Sequence, residues 1–98
     1  MKFIIENPKA SAANFFRRAG YVFQKQSGDE RAFVRRLTDR SFPRFHLFVK
    51  IVDYKFHINI HIDHKMASYD GSRTHSGEYG KDSELLEREV GRLRSFDL

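Results

Sequence analysis

The chain has 98 residues, of which 40% are hydrophobic and 32% charged, and its net charge is +5. This length predicts a single domain over residues 1–98 with a two-layer core, and ten phenylalanines exclude a disordered tail. The absence of cysteine excludes disulfides, thiolate zinc sites and cysteine nucleophiles. No transmembrane-length apolar run and no signal peptide are recognisable, so we expect a soluble cytoplasmic protein with no membrane partner.

The first predicted element is a helix near the start of the chain. Residues 1–6 fit either an edge strand or a loose end, and an edge strand there offers a surface for a homodimer. The helix is predicted over residues 8–19, with Asn7 as its N-cap and Pro8 in its first turn. Apolar residues follow at helical spacing, and Gly20 is placed to end the helix.

An antiparallel sheet of four strands is predicted over residues 21–63. In its first hairpin, a four-residue loop pairs Phe23 with Val34. A slip of one residue pairs Phe23 with Arg35 instead, and the pattern leaves both registers open.

The second hairpin, over residues 44–63, has the clearest pattern in the chain, because apolar and polar residues alternate strictly along both strands. A turn at Asp53 and Tyr54 puts all eight apolar residues on one face, with Val49 opposite Ile58. A slip of one residue would move four of the eight to the other face. Burial of the apolar residues therefore predicts a single register for this hairpin.

A polar loop and a second helix complete the predicted fold. The loop, over residues 64–81, has no periodicity, and a loop of this length in a small domain is usually functional or disordered. The helix is predicted over residues 82–96 with Asp82 as its N-cap, and Gly91 within it indicates close packing against another backbone. The fold class is therefore α+β, a two-layer sandwich in which both helices cover one face of a four-stranded antiparallel meander.

The register of the second hairpin also assembles polar side chains on the face opposite the core. It brings His46, His61 and Asp63 together, whereas His57 lies roughly 13 Å from His61 along the same strand. Two imidazoles and a carboxylate are ligands that suit zinc or another divalent metal. The sequence therefore predicts a divalent-metal or polar-ligand site at these three residues.

The long loop supplies two candidates to close this site, His75 and Glu78. A metal with an open coordination position would activate water, with Glu78 as the candidate general base. A metal-free acid–base site of His61, His75 and Asp63 is an alternative, as is a solvated face with an Arg44–Asp63 ion pair. No motif identifies a reaction, so enzymatic activity stays open and a non-catalytic role is favoured.

Nucleic-acid binding is a second candidate function. Residues 1–50 hold 11 lysines and arginines against 4 acidic residues, whereas residues 51–98 carry a net charge of −2. Single-stranded RNA binders use an exposed aromatic among cations on a sheet for base stacking and phosphate contact. The candidate residues on or near such a surface are Arg35, Arg36, Arg44, Phe48, Lys50 and Asn59. A protein-interaction role without a local motif is the third candidate.

Three short motifs carry a resemblance to a known family. They are Phe-Pro-Arg-Phe-His at residues 42–46, His-Ile-Asp-His-Lys at residues 61–65 and His-Ser-Gly-Glu-Tyr at residues 75–79. The chain resembles, over most of its length beyond residue 15, a family of small uncharacterised bacterial proteins. The resemblance implies no activity, but it puts several candidates inside the motifs, namely His61, Asp63, Lys65, His75 and Glu78.

Overall fold

The computed structural model of the chain describes residues 1–65 and 80–96. In chain order the elements are β1 (Lys2–Ile5), α1 (Ala12–Arg18), β2 (Val22–Ser27), β3 (Glu30–Arg36), β4 (Arg44–Val52), β5 (Lys55–Asp63) and α2 (Lys81–Arg94). The strands form one antiparallel sheet in the order β1-β5-β4-β3-β2. The α+β class with an antiparallel sheet is confirmed, but the expected number of four strands is wrong because β1 adds a fifth.

Strand β1 lies at the edge of the sheet, paired with β5. Phe3 lies opposite Ile58, and both side chains are buried in the core. Burial of the Phe3 ring offsets the entropic cost of ordering this short strand. The first residues of the chain are thus the edge strand rather than the loose end.

Along the whole of β4 and β5, the observed pairing is the one that the alternation of apolar and polar residues predicts. Val49 lies opposite Ile58, and the two strands are joined by a two-residue turn. Asp53 and Tyr54 in this turn have φ values of 53° and 67°, as a type I′ hairpin turn requires. Seven of the eight apolar residues are buried, and Ile51, beside the turn, is 48% exposed. The predicted burial of one face is therefore confirmed.

The hairpin of β2 and β3 departs from its predicted register. Pairing next to the turn agrees with the prediction, but a β-bulge between Phe23 and Lys25 shifts the rest of the hairpin. Phe23 consequently lies opposite Phe33 rather than Val34, with the two ring centroids 5.7 Å apart. Because of the bulge, the Phe23 ring lies on the helix side of the sheet, where it contacts the Phe33 ring.

Helix α1 begins later than the sequence predicts. Its N-cap is Ser11, whose hydroxyl accepts a hydrogen bond from the backbone N–H of Asn14 at 3.2 Å. Asn7 is therefore not the cap, and the helix does not include Pro8. The end of the helix agrees with the prediction, because Gly20 follows with a φ of 98°, a conformation that favours glycine.

Helix α2 begins at Lys81 and ends at Arg94, close to the predicted bounds of 82 and 96. Its N-cap is Gly80, without a side-chain capping hydrogen bond. Asp82, the predicted cap, instead lies in the first turn, where its carboxylate forms a hydrogen bond with the His64 ring. In the part of the chain that the structure describes, no helix is long and apolar enough to cross a membrane.

The hydrophobic core lies between the sheet and both helices. The fully buried Phe16 of α1 packs against Phe33 at a ring-centroid distance of 5.1 Å, and α2 adds Leu86 and Leu93 to the same cluster. The opposite surface of the sheet is called the open face below. It is formed by four alternating residues of β4 and by their cross-strand neighbours. The four residues are Arg44, His46, Phe48 and Lys50.

Gly91 does not pack closely against another backbone, so that expectation is wrong. A Cβ atom placed on Gly91 meets no atom within 4 Å among the described residues. Glycine destabilises a helix by about 0.5–1 kcal/mol relative to alanine. We therefore expect Gly91→Ala to raise the free energy of unfolding by about this amount in urea denaturation. A loss of stability would contradict the open space around this position.

Candidate metal centre

Three side chains of the open face meet at the end of β4 and β5 that is remote from their shared turn. His46 lies directly opposite His61, and Asp63 follows two residues later on the same side of β5. One potential ligand atom from each residue lies within 4.8 Å of the other two. The structure therefore brings these three residues close together, as the alternation predicts.

The Asp63 carboxylate is the centre of this cluster. Its Oδ1 lies 2.9 Å from His61 Nε2, and its Oδ2 lies 2.9 Å from His46 Nδ1. Arg44 Nε also donates a hydrogen bond to Oδ2 at 3.1 Å, so the expected cross-strand ion pair is present. One carboxylate is thus surrounded by three nitrogen groups.

These neighbours act on the pKa of Asp63 against the effect of burial. Partial burial raises the pKa of this carboxyl, but hydrogen bonds from His46, His61 and Arg44 together lower it more. The pKa of Asp63 therefore lies well below its ordinary value. Asp63 is ionised at neutral pH, so it offers an anionic oxygen without first losing a proton.

His46 contains a nitrogen that none of the described residues bonds. Because its Nδ1 faces an ionised carboxylate, the proton of the neutral imidazole is assigned to that nitrogen, which leaves a lone pair on Nε2. His46 Nε2 is buried and has no hydrogen-bond partner within residues 1–65 and 80–96. A buried nitrogen without a partner is uncommon in folded proteins. It marks this imidazole as a candidate for contact with an ion or a ligand.

Phe48 forms an aromatic wall beside the two imidazoles. Its ring centroid lies 4.5 Å from that of His46 and 5.7 Å from that of His61, at interplanar angles of 33° and 26°. The two imidazole centroids are 5.0 Å apart. Packing against Phe48 restricts the rotation of the His46 ring most, because the His46 side chain is 13% exposed and that of His61 is 37% exposed.

The remaining predicted site residues are distributed over both faces. His57 lies on the open face opposite Lys50 and does not join the cluster. His75 and Glu78 lie outside the described residues. Arg35 lies on the helix side of the sheet, opposite Phe45. The other residues proposed for nucleic-acid contact all lie on the open face, namely Arg36, Arg44, Phe48, Lys50 and Asn59.

A second polar cluster, on the helix side of the sheet, was not predicted from the sequence. Glu89 of α2 is 4% exposed, and its carboxylate accepts a hydrogen bond from the Tyr21 hydroxyl at 2.7 Å. Arg92 donates to both oxygens of the same carboxylate at 2.8 and 2.9 Å, and to the Ala19 carbonyl at 2.7 Å. Arg35 approaches Glu89 to 3.6 Å. These contacts tie α2 to the end of α1 and to the start of β2.

The sequence contains one signal for this second cluster. Glu89 lies three residues after Leu86 and four before Leu93, on the buried stripe of α2, where a charged residue is rare unless it is paired. Burial, and then the neighbouring Glu89, raise the pKa of the Tyr21 hydroxyl, which therefore stays protonated as a donor. Because its groups already bond one another, we interpret the cluster as structural.

Comparisons with known proteins identify no family for this chain. No protein-family model matches the chain, and searches of curated proteins and of solved structures found no match either. The motif resemblance at residues 42–46, 61–65 and 75–79 therefore stays a prediction. Function has to be inferred from the chemistry of the site itself.

Proposed function

We propose that His46, His61 and Asp63 bind one divalent metal ion, for which zinc is the best-suited candidate. The supporting observation is that a single hairpin register buries apolar residues on one face and gathers these three potential ligands within 4.8 Å on the other. Two imidazoles and a carboxylate, with an open position, are the ligands of many zinc sites. The same set also suits Fe²⁺.

A metal ion can enter this cluster by replacing hydrogen-bond protons. His61 Nε2 and Asp63 Oδ1 are 2.9 Å apart, whereas two ligands of a tetrahedral zinc ion lie about 3.4 Å apart. The two atoms must therefore separate by about half an ångström. The His61 side chain is 37% exposed, which leaves it room to rotate by this amount.

The charges around the site indicate what completes the coordination of the metal. Asp63 supplies one negative charge, but Arg44 already lies 3.1 Å from it and neutralises it. A divalent ion bound between two neutral imidazoles would leave an excess of positive charge in a half-buried position. That excess favours hydroxide or another anion as a further ligand.

The first test is zinc titration by calorimetry, with protein purified without an affinity tag and treated with a chelator. We expect one-to-one binding. His61→Gln and Asp63→Asn should each weaken it by more than about 100-fold, since even the loss of an outer-shell partner costs about 10–100-fold. The matched control is His57→Gln, because this imidazole lies on the same strand and face but outside the cluster.

The second test follows the histidine ring signals by NMR during the titration. Zinc should shift the signals of His46 and His61 together and leave those of His57 in place. Binding should weaken in acid, because protons compete with the metal for the same imidazole nitrogens. An equal response of His57, or binding that survives His61→Gln, would contradict the proposal.

His75 and Glu78, the two candidates to close the site, are included in the same proposal as further ligands. His75→Ala and Glu78→Ala can be titrated in the same way. A loss of zinc affinity of about 10–100-fold in only one of the two variants would identify which of them contributes to binding. Metal binding alone is proposed here, without an assigned reaction.

A further inference from the structure

We propose that the open face binds single-stranded nucleic acid, with Phe48 as the residue on which a base stacks. This surface extends across all five strands and includes the metal centre at one end. The inference goes beyond metal binding and does not depend on it. Two features of this face support nucleic-acid binding, namely its distribution of charge and the central position of Phe48.

Positive charge dominates the open face. Its strand residues include two acids, Glu30 and Asp63, against six cations. The cations are Lys2, Lys25, Arg36, Arg44, Lys50 and Lys55. Four of them form no ion pair with any residue in the described ranges, namely Lys2, Lys25, Arg36 and Lys50. An excess of unpaired cations on one face attracts phosphate groups.

The aromatic side chain lies in the middle of this charged surface. One row of directly paired residues runs across the sheet from β1 to β2, in the order Lys2, Asn59, Phe48, Ala32 and Lys25. With strands about 4.8 Å apart, the two lysines lie about 19 Å from each other and about 10 Å from Phe48. A nucleic-acid strand crossing the sheet can therefore contact cations on both sides of a stacked base.

The surroundings of Phe48 make it suitable for stacking. Its ring is half-buried and packs against the imidazoles of His46 and His61 at interplanar angles of 33° and 26°, and these contacts hold the exposed part of the ring as a fixed aromatic surface. A base stacks on such a surface whatever its identity. The exposed Asn59 beside Phe48 adds an amide group that can bond to the edge of a base.

Charge also argues against a second copy of this chain as the partner on this face. Two open faces with the same excess of positive charge repel each other. The same excess of positive charge attracts a polyanion, and the affinity of a polyanion for this face then depends strongly on salt concentration. The face therefore fits an anionic partner with aromatic rings better than it fits itself.

The test is fluorescence anisotropy of labelled single-stranded decamers of uridylate and of thymidylate. Metal-free protein is used, so that the result is independent of zinc binding. Phe48→Leu retains an apolar side chain but removes the ring, and it should weaken binding by about 5- to 150-fold. The matched control is Phe23→Leu, because Phe23 is also exposed but lies on the helix side of its strand.

A second pair of variants tests the role of charge. Each phosphate contact to a single strand contributes about 0.7 to the slope of log affinity against log salt, so Lys50→Ala should reduce the slope by about 0.7. Arg88→Ala removes the same charge from the exposed side of α2 and should leave the slope unchanged. Tighter binding of the uridylate decamer would identify RNA as the partner, and equal binding would indicate single strands of either kind.

Four outcomes would overturn the proposal. They are no binding at low salt, equal losses for Phe48→Leu and Phe23→Leu, equal affinity for a duplex, and a dimer in light scattering that Phe48→Leu dissociates. The last outcome would assign the open face to contact between copies of the chain. Circular dichroism of each variant separates loss of binding from loss of folding.

Discussion

Replacing Glu89 by alanine is expected to lower the free energy of unfolding by about 2–4 kcal/mol. The substitution leaves the Tyr21 hydroxyl and the Arg92 guanidinium without the carboxylate that both contact. Removing one partner of a fully buried ion pair costs about 3–5 kcal/mol. The expected loss is smaller here, because the Arg92 side chain is 35% exposed and water can partly replace the carboxylate.

Urea denaturation measures this loss, and Glu87→Ala is the matched control. Glu87 lies on the same helix but is exposed, so its replacement should change stability by less than about 0.5 kcal/mol. Glu89→Gln retains the shape of the side chain and should fall between the two. Equal effects of Glu89→Ala and Glu87→Ala would show that the buried cluster does not stabilise the fold.

Replacing Asp63 by asparagine is expected to lower the free energy of unfolding by about 2 kcal/mol near neutral pH, through lost charged hydrogen bonds, and by less in acid. Burial raises the pKa of Asp63, but the bonds from His46, His61 and Arg44 hold it below its ordinary value of 3.8. As the pH falls below about 4, the unfolded chain therefore binds this proton before the folded chain does. Protonation in acid therefore removes the charged hydrogen bonds of Asp63 from the wild-type protein, whereas the variant lacks them at every pH.

The measurement is the difference in stability between the two proteins, by urea denaturation at several pH values. The difference should shrink as the pH falls below about 4. Asp29→Asn is the control, since Asp29 is exposed in the turn between β2 and β3 and forms no ion pair with the described residues. A difference for Asp63→Asn that is the same in acid and at neutral pH would contradict the role assigned to its carboxylate.

The β4–β5 hairpin was predictable in detail because two independent requirements agree on it. The alternation fixes which side chains share a face, and the two-residue turn fixes which residues lie opposite each other. His46, His61 and Asp63 were therefore predictable as neighbours. The hydrogen bonds of Asp63, and the lack of a partner for His46 Nε2 among the described residues, were not predictable, because side-chain rotation is not encoded in the alternation.

Other parts of the fold depend on long-range contacts or on local irregularities that an alternation does not reveal. The bulge near Phe23 adds one residue to its strand, and this changes the partner without changing the pattern of apolar residues. Arg35 belongs to a basic segment of the sequence and was therefore expected on the nucleic-acid surface. The pairing of β3 with β4 instead places it on the helix side of the sheet. Glu89 interrupts an apolar stripe, and one of the groups that bond it, the Tyr21 hydroxyl, is 68 positions away along the chain.

The pairing of β1 has a consequence for the order in which the sheet forms during synthesis. Residues 2–5 pair with residues 56–59, whereas every other strand pairs with the next strand along the chain. Local hairpins close faster than distant segments meet, so the meander of β2 to β5 is expected to form first. Until β1 docks, the backbone groups along the outer side of β5 are unpaired and open to a chaperone or a neighbouring nascent chain. Strand β1 is therefore synthesised before the other four strands but is the last of the five to join the sheet.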